Sequence, residues 1–208
     1  MVTPGKVPRA PEGPLSRRAA DLHRFRRTTP LWRVHATAGP HVVPWDELRQ
    51  WGPTTSRWDP QPPPPGPSTL GVAYAALDVS TALAEVFPQT RVVDTRSLVP
   101  CLTAWRPTRD LRLLDLTDTW PIRAGAAHAL TSAPRAVCRA WARAIVDTWP
   151  ELDGLWSLST MTGAPTVTLF TAAADAFPHR PAFSRTLTTP GLRLTLDDAA
   201  RRIGYRIR

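Results

Sequence analysis

Glu85 is the only acid in the run Thr-Ala-Leu-Ala-Glu85-Val, where every neighbour is small or apolar. A carboxylate in such company is costly to desolvate unless a partner or a reaction uses it. Eleven residues earlier, Tyr74 sits in Gly-Val-Ala-Tyr74-Ala-Ala, which alternates as a short buried strand does. Arg33, in Leu-Trp-Arg33-Val-His, falls on one side of a second strand with Leu31 and His35. If that side is inward, its guanidinium needs an anionic partner, and Glu85 is one choice. Arg57, in Ser-Arg57-Trp-Asp-Pro, lies on a proline-stiffened loop, and Ser159 follows a strand in Ser157-Leu-Ser159. Arginines grip phosphates bidentately, a fixed carboxylate stabilises a developing cation, and a serine orients a substrate by hydrogen bonding. Each residue also has a plain structural role: a rim glutamate, a core tyrosine, an ion-paired or exposed arginine, a turn serine.

The elements that must position these residues follow from the patterning. Leu31–His35 reads as a strand. Residues 52–69 read as a long loop with four consecutive prolines, and loops of that length inside a domain often carry function. Tyr74 ends a strand whose tight turn leads into a helix capped by Asp78 or Ser80, with Val79, Leu83 and Val86 on the core face and Glu85 at its border. Further strands are expected at Leu98–Trp105, Leu111–Leu114, Gly154–Leu158 and Thr166–Phe170. Helices are expected at Ser16–Arg27, Trp120–Leu130, Pro134–Trp149 and Asp197–Arg202, the third bearing an apolar stripe of Val137, Trp141, Ile145 and Val146. Helices and strands mix without strict alternation, which gives an α+β fold: one domain with a central mixed or antiparallel sheet flanked by helices.

The chain has 208 residues, a length that suits one domain with a substantial core. Its formal charge is +9, and Lys6 is its single lysine among 26 basic residues, an arginine bias that fits a GC-rich coding sequence. Residues 1–28 carry seven basic groups against two acidic ones and read as a basic extension with a helix, ahead of a domain over 29–208. Such a segment can bind nucleic acid, although a solvated extension is the commoner outcome. No apolar run is long enough to cross a bilayer, no apolar signal core opens the chain, and two unrelated cysteines make no disulfide framework. The expected location is therefore the cytoplasm. The five histidines show no metal-ligand spacing, and Gly-x-Ser-x-Gly, Walker-type and Gly-x-Gly-x-x-Gly motifs are absent.

Taken in order, the Arg33, Arg57, Tyr74–Glu85 and Ser159 segments, with Thr-Val-Thr-Leu-Phe170, resemble the RES domain, a family named for its arginine, glutamate and serine. The resemblance spans roughly residues 30–172. Trp58 stands where the family usually has phenylalanine, and Ser157-Leu-Ser159 stands where Tyr-Pro-Ser is common, so Ser157 competes with Ser159. The resemblance implies an ADP-ribosyltransferase-like fold and a toxin of a type II toxin–antitoxin pair with an Xre-type antitoxin, touching nucleic acid only through that complex. It also implies NAD as substrate rather than cofactor. The nicotinamide–ribose bond would break, and ADP-ribose would pass to phosphate, water or a protein. Glu85, Arg33 and Ser159 are the implied catalytic residues, with Arg57 and Tyr74 completing the NAD-binding set.

Overall fold

A computed structural model describes residues 9–208. The strands are β1 (Leu22–Phe25), β2 (Leu31–Ala36), β3 (Arg49–Gly52), β4 (Gly66–Ala76), β5 (Val92–Val93), β6 (Pro100–Trp105), β7 (Leu111–Asp115), β8 (Gly154–Leu158), β9 (Pro165–Phe170), β10 (Phe183–Thr186) and β11 (Arg206–Ile207). The helices are α1 (Val79–Val86), α2 (Trp120–Arg123), α3 (Arg135–Thr148) and α4 (Arg193–Arg202). Among the described residues, one sheet runs β1-β7-β8-β9-β4-β2-β6-β10, with β3 added on β4; β5 and β11 pair separately. Only the β7–β8 contact in the large sheet is parallel, so the expected mixed α+β architecture is what the chain adopts.

Alternation along β4 assigns its two faces. Val72 joins a cluster with Trp120, Trp141, Ile145 and Phe170 beneath α3, whereas Ala73 and Ala75 pack on the opposite face with Phe25, Leu31, Trp105 and Leu169. A third cluster fills the space between α1, α4 and strands β2 and β6 through Val34, Leu83, Leu102, Leu196 and Tyr205. At Gly154 a Cβ would lie 1.8 Å from the Thr168 carbonyl oxygen, so only glycine lets β8 lie against β9 there.

The joint between β2 and β4 matters most for function. The other strands of the sheet pair over several residues, but here one register pair, Trp32 with Ala76, holds the two strands together. Beyond it they diverge, and the sheet opens into a cleft beside α1.

Three expected elements differ. Ser16–Arg27 is not a helix: a single 3₁₀ turn at Ala19–Asp21 leads into β1, which pairs antiparallel with β7. Leu22 and Phe25 are three apart, which suits a helical face, but over so short a segment the open edge of β7 decides the conformation. The segment read as an extension thus enters the sheet; its first eight residues lie outside those described. Trp120–Leu130 yields one helical turn, then a 3₁₀ turn at His128–Ser132. Finally, α1 buries Ser80, Thr81, Ala82, Leu83 and Ala84, while Val86, expected on the core face, is exposed.

Candidate functional site

Arg33, Arg57, Tyr74 and Glu85 line one cavity of about 640 Å³ at the opening between β2 and β4. That volume is in the range of small-molecule sites. Four residues separated by up to 52 positions converge there because β2, the β3–β4 loop, β4 and α1 all border the same split.

The cationic wall is built around Asp59, a residue with no exposed surface. Its Oδ1 accepts from Arg49 Nη2 and from the Tyr74 hydroxyl, both at 2.6 Å. Its Oδ2 accepts from the Thr54 backbone N–H at 2.6 Å and the Thr54 hydroxyl at 2.7 Å. Four donors satisfy the buried carboxylate and tie three elements together: β3, the proline-rich loop and β4. Burial, then the Asp59 charge and hydrogen bond, raises the Tyr74 phenol well above its ordinary pKa, so it remains a neutral donor. Arg57, two residues before Asp59, donates to the Ala133 carbonyl and lies 3.5 Å from Cys138 Sγ, which anchors the loop to the start of α3. Arg135, the first residue of α3, lines the cavity too.

Arg33 does not pair with Glu85 or with any other acid among the described residues. Its Nη1 donates to the Trp45 and Glu47 carbonyls at 3.3 and 3.4 Å. Burial, then the Arg49 charge, pushes its pKa down to about 10, against a smaller pull from Asp46. At neutral pH Arg33 is still a cation, and its positive charge has no counter-ion.

The acidic wall is simpler. Asp78 caps α1 through the Thr81 N–H, and the helix carries Glu85 near its last turn to the cavity edge. Ser159 Oγ donates to Glu85 Oε1 at 2.6 Å and accepts from the Met161 and Thr162 backbone N–H groups, each at 3.1 Å. The turn closes by Gly163 N–H to the Ser159 carbonyl, with Gly163 at φ +74°, a conformation that favours glycine. Ser159 is buried and does not itself line the cavity; it fixes the carboxylate that does. Ser157 points elsewhere, to the Thr166 hydroxyl at 3.1 Å. Of the two serines, Ser159 is the one hydrogen-bonded to Glu85.

Arg49, Asp59 and Arg135 were missed in the sequence. Asp59 stood beside Arg57 in Arg57-Trp58-Asp59-Pro, where an acid enclosed by tryptophan and proline was a usable signal. Arg49 and Arg135 had no comparable pattern. The cavity's remaining wall is flatter and apolar, with Trp32, Val34, Phe87 and Pro88. Its lining carries four arginines and one acid, Glu85.

The RES domain family pattern matches residues 30–197. The chain belongs to the RES domain family. Its fold is similar to that of a chain in the crystal structure of the M. tuberculosis MbcT–MbcA toxin–antitoxin complex. The TM-score is 0.55 at 15% identity, over 86% of this chain and 93% of that one. No curated protein matches the chain. Among the described residues of this RES domain, no helix is long and apolar enough to cross a membrane, and no three His, Cys, Asp or Glu residues cluster as metal ligands.

Proposed function

We propose that this RES domain is the NAD-consuming toxin of a toxin–antitoxin pair, acting in the cytoplasm and held in check by an Xre-type antitoxin. One observation carries the reading: a single, hydroxyl-anchored carboxylate shares one cavity with four arginines. That polarity suits a substrate with anionic phosphates at one end and a bond that breaks to a cation at the other. NAD has both. Arg33, Arg49, Arg57 and Arg135 take the pyrophosphate, or an acceptor phosphate, by charge-assisted hydrogen bonds. Trp32, Phe87 and the Tyr74 ring offer flat surface to the aromatic rings.

Glu85 lies where positive charge develops. As the nicotinamide–ribose bond breaks, its electron pair leaves with the nicotinamide nitrogen and the ribose carbon becomes oxocarbenium-like. A carboxylate held by Ser159 stabilises that charge without reorganising. A phosphate or water oxygen then forms the new bond to that carbon, and water gives up a proton. No metal is required by this scheme.

The competing nucleic-acid reading finds less support. The basic N-terminal segment is docked: Trp141 Nε1 donates to the Arg9 carbonyl, Trp120 Nε1 to that of Ser16, and Arg17 pairs with Glu151 at 2.9 Å. Arg24 and Arg26 both pair with Asp110.

The test is to incubate purified protein with NAD and phosphate and follow products by mass spectrometry. Nicotinamide should appear with ADP-ribose or its 1″-phosphate; a mass increase on protein would instead favour transfer to protein. Glu85→Gln keeps the shape and removes the charge, and should slow NAD loss by about a hundredfold or more. Wild-type turnover in that variant would remove Glu85 from the chemistry. Growth arrest relieved by co-expressing a neighbouring helix-turn-helix protein tests the toxin role separately.

A further inference from the structure

A second cavity, of about 420 Å³, lies on the other side of α1 and has no part in the scheme above. It is lined by Ser80, Thr81, Arg91, Thr162, Arg202 and Tyr205, among others. Arg91 and Arg202 form no ion pair among the described residues. The one acid in the lining, Asp78, is already engaged. Its two carboxylate oxygens accept from the Thr81 N–H at 2.9 Å and the Thr81 hydroxyl at 2.8 Å. Tyr205 is 8% exposed, and its hydroxyl is fully enclosed without a hydrogen-bond partner. A buried phenol normally finds a partner, and leaving one unmet is costly.

We infer that this cavity is a second, separate anion site, which takes a phosphate-type oxyanion between Arg91 and Arg202 with Tyr205 donating a hydrogen bond. The residues suit that class. Two guanidiniums supply charge and forked donors, the neutral phenol supplies a third donor, and the engaged Asp78 presents no free carboxylate to repel the ligand. Burial raises the Tyr205 pKa, against an opposing Arg91 and with a smaller push from Glu85, which keeps the phenol protonated as a donor.

The second site is joined to the first. Met161 lines both cavities, and the Thr81 and Thr162 hydroxyls are 3.1 Å apart across the gap between α1 and the Ser159–Gly163 turn. An anion there rests on the back of the helix and turn that aim Glu85. The assignment does not depend on NAD being the substrate of the first cavity.

The ligand could be free phosphate or the phosphoryl group of a small metabolite. The full chain carrying Arg33→Ala, Arg57→Ala and Arg135→Ala, which removes the first site's arginines except Arg49, itself paired with Asp59, is titrated calorimetrically with inorganic phosphate and, separately, with ribose 5-phosphate. At least one should bind saturably; tighter binding of the ester points to a metabolite, tighter binding of the ion to free phosphate. Adding Arg91→Ala and Arg202→Ala should weaken that binding at least tenfold, and adding Tyr205→Phe alone should weaken it severalfold. The inference is overturned if the first-site variant binds neither probe, or if binding survives the loss of Arg91 and Arg202. If that combined variant is unfolded by circular dichroism, Tyr205→Phe decides, and unchanged affinity overturns the inference.

Discussion

The two walls of the main cavity are held by opposite strategies. The cationic wall rests on a fully buried carboxylate, Asp59, with four hydrogen bonds that lock β3, the proline-rich loop and β4 into one piece. The acidic wall rests on one hydroxyl, Ser159, reaching an exposed glutamate near the end of a two-turn helix. The first arrangement cannot be altered without a cost in stability. The second can shift with little structural consequence, because Glu85 stays solvated if Ser159 lets go. Under the proposed function, stability and catalysis are concentrated on different parts of one cleft. A rigid charged surface can bind a polyanion, and the cheaper, adjustable side carries the group that must match the changing charge of the substrate.

The largest expected effect breaks the rigid side. Asp59→Ala leaves Arg49 and Tyr74 without their acceptor. Removing one member of a buried pair costs about 3–5 kcal/mol, or roughly 6–20 °C in Tm for a domain of this size. Thermal denaturation reads this directly, and NAD turnover should fall with it as Arg57 loses its fixed loop. A melting point within 2 °C of wild type, on the order of 1 kcal/mol or less, would mean that Asp59 is not what holds this wall.

The next effect comes from the other side and should separate activity from stability. Ser159→Ala removes the only side chain hydrogen-bonded to Glu85 among the described residues, and a hydrogen bond to a charged group is worth about 1.5–3 kcal/mol. We expect kcat for NAD loss to fall by about tenfold to a hundredfold, with KM little changed and Tm lowered far less than in Asp59→Ala. Ser157→Ala, which breaks only the contact to Thr166, should leave kcat near wild type. Equal losses in both serine variants would contradict the geometric choice between them.

The same contrast explains what was legible in the sequence. Glu85, Tyr74, Arg33, Arg57 and Ser159 were found because they lie in short local contexts, an acid among apolar residues or a strand beside a turn, which together match a family pattern. The strands around them followed from alternation. The role of Asp59 is not legible locally, because it lies in Arg49 and Tyr74, ten and fifteen residues away, and only β3 packing on β4 brings them together. The Ser16–Arg27 helix and the Val86 core position failed for a related reason. Both came from helical periodicity over short segments, and pairing of β1 with β7, or burial of small polar residues such as Ser80 and Thr81, outweighed it.

The smallest expected effect concerns acid. His35 follows Arg33 on the same side of β2; its Nε2 lies 3.0 Å from the Thr103 hydroxyl, and its Nδ1 is buried without a partner. Burial first, then the Arg33 charge, lowers its pKa below the ordinary imidazole value, outweighing the Ala36 backbone and Asp46. His23, stacked at 4.0 Å on Trp156, is lowered by burial against a weaker pull from Asp115. In both, the unfolded chain takes up a proton at higher pH than the folded one. Stability from these groups is therefore complete above the ordinary value near 6.5 and is lost as pH falls through the lower folded values. No histidine lines the cavity, so both groups act from outside it. Urea denaturation between pH 7 and 5 should show declining stability, and His35→Gln should flatten part of that slope. An unchanged slope in that variant would place the acid sensitivity away from β2.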